Sequence, residues 1–164
     1  SALAGRRDIM AGLNPEGPVV MSGTYTGALM SVLASLECLG MMSAPGFYDD
    51  IRRKAETFYG GLGDLFRRHS VKGHVRGLGA RFGLFFGVED PEWDYRFRTI
   101  ASGFDSATHQ RFIRLALEAG LYFLDTGRAL TPTHFGFTAA HGDDELEAAL
   151  EKLDGVFKRL SAGA

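Results

Sequence analysis

Four lysines (Lys54, Lys72, Lys152, Lys158), five histidines and one cysteine, Cys38, are the side chains whose chemistry could make this chain a catalyst. An amine attacks a carbonyl only when it has lost its proton, so a Schiff-base lysine must be desolvated or otherwise perturbed. Lys54, Lys152 and Lys158 fall on the solvated faces of helical stretches, and Lys72 precedes a strand close to His69-Ser70. None has the required setting. Cys38 sits in an apolar helix, where a buried, inert thiol is expected. The histidines (His69, His74, His109, His134, His141) show neither HExxH nor paired spacing, so no metal site is expected. His141, just ahead of Asp143 and Asp144, reads as part of a helix start. Gly77-Leu78-Gly79-Ala80-Arg81-Phe82 superficially matches a dinucleotide loop. Its third glycine, Gly83, comes one place late, and the segment leads into a strand instead of opening a helix. The chain by itself presents no catalytic residue.

The elements that would position these residues follow from hydrophobic period. Residues 1–26 hold only a short helical turn near Arg7–Met10, then a turn at Asn14-Pro15-Glu16-Gly17-Pro18 and a brief strand at Val19-Val20-Met21. From Gly27 to about Met42 the chain is apolar almost all round, which predicts a helix buried on most sides. Such a helix needs more neighbours than the rest of the chain supplies.

After Pro45-Gly46 a long amphipathic helix is expected, with Tyr48, Ile51, Ala55, Phe58, Leu62 and Leu65 inward. Asp49 and Asp50 in its first turn and Arg67, Arg68 and His69 in its last suit the helix dipole. Gly60, Gly61 and Gly63 within it call for a packing reason or a kink. Between His74 and Val88 the period becomes two. Phe82, Leu84, Phe86 and Val88 form a bulky face, and Gly83 and Gly87 leave room for a close neighbour on the other. Asp90–Ser102 reads as a loop or lid.

Asp105 or Ser106 caps a helix with Phe112, Leu115, Ala116 and Ala119 inward, ending at Gly120. Leu121–Leu124 and His134–Phe137 read as short strands, and Asp143-Asp144 opens a last helix facing inward through Leu146, Ala149, Leu150, Leu153, Phe157 and Leu160. This order fits a small α/β sandwich, with a sheet on one side and helices on the other.

At 45% hydrophobic and 23% charged, the 164 residues have the composition of a soluble globular protein. A net charge of −2 gives no electrostatic footprint for nucleic acid or an acidic membrane. No apolar stretch reaches the roughly 20 residues that a membrane-crossing helix needs. A single cysteine excludes an internal disulfide and fits a reducing compartment, so cytoplasm is expected. The start, Ser1-Ala2-Leu3-Ala4-Gly5-Arg6-Arg7, lacks an initiator methionine and the order of a signal peptide, and Ser1 reads as a cut point.

Four motifs stand in register along the chain. They are Gly5-Arg6-Arg7-Asp8-Ile9-Met10; Ser22-Gly23-Thr24-Tyr25-Thr26-Gly27; His74-Val75-Arg76-Gly77-Leu78-Gly79; and Gly136-Phe137-Thr138-Ala139-Ala140-His141-Gly142-Asp143-Asp144-Glu145-Leu146. Together they resemble the class III aminotransferases, fold-type I enzymes dependent on pyridoxal 5'-phosphate (PLP), and in particular the glutamate-1-semialdehyde aminomutase branch. The resemblance covers nearly the whole chain. It departs from the family after Gly27, where Ala28-Leu29 stands in place of Asn-Pro. It also departs at 125–132, where Arg128 does not match a carboxylate-binding arginine and is given no substrate role.

The resemblance implies a C-terminal portion of such an enzyme, with Ser1 just beyond the cofactor lysine. Residues 1–44 would be the tail of the large PLP-binding domain, 45–70 a connecting helix, and 71–164 the C-terminal small domain. The parent would be a homodimer moving an amino group of a small amino acid or amine through an aldimine. Thr24, beside Gly23, would reach the phosphate of PLP held by the partner subunit. Without the resemblance, Gly23-Thr24 is simply a turn that caps the next helix. His134 would lie near where the family's C-terminal domains approach the active site, although a structural role is the expected one. The competing expectation is a non-catalytic domain that packs on a partner through the 27–42 helix.

Overall fold

The computed structural model describes residues 3–88, 96–124, 127 and 130–162. Two compact units divide the chain, Ser1–Phe47 and Tyr48–Ala164.

The first unit holds a one-turn helix, α1 (Arg7–Met10), and the apolar helix α2 (Leu29–Met42). The expected strand at Val19–Met21 is reduced to one parallel bridge, Leu13 to Val19, because no further strand lies alongside it. Helix α2 forms where its apolar run predicts. Its side chains are exposed rather than buried, with Met30 at 78% and Leu36 at 59%. No other described residue of the unit covers them. Cys38 is likewise exposed, contrary to its expected burial.

The second unit is built on α3 (Phe47–Arg68), whose buried stripe Ile51, Ala55, Phe58, Leu62 and Leu65 follows the predicted spacing. Tyr48 lies outside the stripe and is half exposed, and Phe66 joins it. The stretch read as one strand is a hairpin, β1 (Gly73–Leu78) and β2 (Arg81–Phe86), turning at Gly79-Ala80. A turn at this point accounts for Gly79, which has φ +54°. It also disposes of the dinucleotide reading, because Gly77 and Gly83 lie in the two strands, Gly79 serves the turn, and a strand follows where a helix would be needed. β3 (Phe135–Gly136) pairs antiparallel with β2, completing the order β1-β2-β3. Leu121–Leu124 joins no ladder and is not a strand. In the segment expected as a loop, α4 (Phe97–Gly103) forms, and the remainder, 90–95, falls outside the described residues. Arg128 also falls outside them.

Helix α5 (Ser106–Glu118) starts at Asp105, whose carboxylate accepts from the Thr108 amide at 2.9 Å and the Thr108 hydroxyl at 2.7 Å. Gly120, with φ +79°, follows its end. Helix α6 (Asp143–Ser161) begins where the Glu145 carboxylate receives the Gly142 amide at 2.8 Å. Phe82, Leu84 and Phe86 all point to one side of β2, toward α3, α5 and α6. Phe86 meets Phe66 at 5.5 Å and Phe112 at 5.4 Å, and Phe66 meets Phe157 edge-on at 4.9 Å. The α/β arrangement with helices against one sheet face is as predicted.

The glycine side of the hairpin also meets its expected neighbour. A Cβ on Gly87 would come within 2.6 Å of the Gly103 carbonyl, and Gly87 has φ +86°. Gly60, inside α3, has open space around it. Gly87→Ala is therefore expected to lower stability by about 2 kcal/mol or more, through strain and backbone collision. Gly60→Ala should raise it by roughly 0.5–1 kcal/mol. Urea unfolding of the two variants against the parent chain checks both signs.

Candidate functional site

In the first unit, Gly23 and Thr24 lie in the loop that feeds α2. The Thr26 amide donates to the Gly23 carbonyl at 3.0 Å, and the Ala28 amide to the Tyr25 carbonyl at 3.2 Å. Gly27 then turns through φ +72° into the helix. A Cβ on Gly23 would stand 2.7 Å from the Thr26 hydroxyl oxygen, so a larger residue there would make the Thr26 side chain turn away. Ala28, the residue before α2, has no side chain able to cap the first helical amides. The bland expectation, that this loop caps the helix, fails in one respect, because no side-chain cap is present. The loop and the first turns of α2 border an open groove of about 800 Å³, with the hydroxyl-bearing residues Thr24, Thr26, Ser31 and Ser35 along it. Ser35 Oγ donates to the Ser31 carbonyl at 2.8 Å. Uncapped amides at the positive end of a helix dipole, beside hydroxyls, make an environment suited to an anion.

The lysines divide differently from expectation. Lys72, Lys152 and Lys158 are exposed. Lys54 is buried, at 8% exposure, with its Nζ 2.9 Å from the Asp50 carboxylate. The helical period puts it beside the apolar stripe of α3, and its long stem lies along the packed surface while its ammonium reaches back one turn. Hydrogen bonding from Lys54, then Arg53, holds the Asp50 carboxyl below the usual carboxylate range.

The histidines take structural roles. His141 Nδ1 accepts from the Thr138 amide at 3.1 Å, at the approach to α6. His74 stacks on Phe85 at 4.9 Å and hydrogen-bonds the Val88 carbonyl at 2.8 Å. His69 lies 2.9 Å from Asp154, linking α3 to α6. His109 is buried among the rings of Phe86, Phe104 and Phe135. Among the described residues no three potential ligands gather around a metal position. His134 is exposed on the strand side of the second unit, where two grooves of about 500 and 570 Å³ both include it and Arg81.

Sequence reasoning passed over Arg81. The alternation of β2 was the available signal: if Phe82 faces the core, Arg81 faces away. Its backbone is held by Tyr59, whose hydroxyl donates to the Gly79 carbonyl and lies 3.2 Å from that of Arg81.

No family model matches the chain. It is 32% identical over 160 residues to a glutamate-1-semialdehyde 2,1-aminomutase of Nitrosomonas europaea, covering 96% of this chain and 34% of the relative. It is also 32% identical over 163 residues to the enzyme of that name from Dechloromonas aromatica, covering 97% and 35%. The chain thus spans about a third of the length of the curated relatives it matches. Among solved structures, an omega-transaminase from Sphaerobacter thermophilus superposes with a TM-score of 0.72 at 19% identity, over 97% of this chain and 35% of that one. A transaminase with PLP bound gives 0.68 at 20% identity, over 98% and 35%. The likeness in sequence to the aminomutases bears out the resemblance drawn from the four motifs. The structural likeness shows that the fold is that of part of a transaminase.

Burial pushes the Tyr59 phenol from 10.0 up to about 12. Below pH 10.0 both folded and unfolded chains carry the neutral phenol, so its contribution is fully present. Above that the unfolded chain loses the proton first, and stability falls until the folded phenol ionises near 12. Tyr59→Phe should cost about 1 kcal/mol at neutral pH through the lost hydrogen bond. It should also remove this alkaline loss, as read from denaturant midpoints across the window.

Proposed function

We propose, from a kinship with glutamate-1-semialdehyde aminomutases that runs through nearly all of this chain, that it is the C-terminal portion of a PLP-dependent aminotransferase or aminomutase. The observation that carries the reading is the 32% identity over 96% of the chain. The transaminase fold supports it. In this reading residues 1–44 close the large cofactor domain, 45–70 connect, and 71–164 form the small domain. The enzyme is a cytoplasmic homodimer acting on a small amino acid or amine.

PLP, when bound, supplies the electron sink for chemistry at the carbon next to the transferred nitrogen. The residues here fit its phosphate. Thr24 offers a hydroxyl, and the uncapped amides of α2 offer donors. Thr24 would serve the phosphate held by the partner subunit. The lysine that joins the cofactor belongs to the parent enzyme outside this chain. Three of the four lysines here are hydrated, and Lys54 is tied as an ammonium to Asp50.

The exposed apolar surface of α2 favours a second reading, a non-catalytic domain that binds a partner through residues 27–42. The two differ in what Thr24 does.

Borohydride treatment of the chain with PLP, followed by mass spectrometry, should find no stoichiometric adduct on any lysine. A full adduct on Lys54 that vanishes in Lys54→Met would overturn the assignment of the lysine. In the full-length enzyme, Thr24→Val should weaken cofactor retention about tenfold, the loss of one charge-assisted hydrogen bond. Unchanged retention would favour the interaction-domain reading.

A further inference from the structure

We draw no further inference here: the strongest candidate, the groove of about 500 Å³ between Leu121–Leu124 and β3 with both Arg81 and Glu145 along its wall, carries nothing because nothing in the structure shows what covers it.

Discussion

The packing of Phe86 against rings from three helices is the contact on which the second unit depends. It has no exposed surface and meets Phe66 of α3, Phe112 of α5 and Phe157 of α6. Burying one residue of a strand decides the fate of all its neighbours, because side chains alternate with period two. Phe82 and Leu84 go inward with Phe86, and Arg81, Gly83 and Phe85 are turned out. A slip of one residue would put a guanidinium in an apolar core and phenylalanine rings in water. The apolar packing therefore sets the chemistry of the opposite face without touching it.

Surface ion pairs add direction to this packing. Arg53 meets Asp143 at 3.0 Å and Arg68 meets Asp154 at 2.7 Å, both between α3 and α6. Exposed pairs of this kind contribute about 0–1 kcal/mol each, far less than the buried rings. The ion pairs select an alignment of helices that the core already holds.

The first unit obeys the opposite constraint. Helix α2 is apolar on most sides and remains exposed, so its sequence meets the demands of an environment that the described residues of its own unit do not supply. Relatives about three times as long are a natural source of such an environment. A fold shared with transaminases gives an address, and function resides in side chains placed on it.

Local pattern alone determined α3, α5 and α6, the Asp105 cap and the stop at Gly120, because helical period and capping depend on residues a few positions apart. The four motifs determined the kinship for a related reason, since short-range order along the chain is what they record. Burial and pairing depended on residues far apart in sequence. Lys54 is buried and Cys38 exposed, against their local context, because neighbours across space and not along the chain decide solvent contact. Leu121–Leu124 looks like a strand yet is not one, since a strand exists only when a second backbone completes its hydrogen bonds. Arg81 belongs to the same class: its identity is plain in the sequence, but only the tertiary packing of Phe82 and Phe86 settles which way it faces.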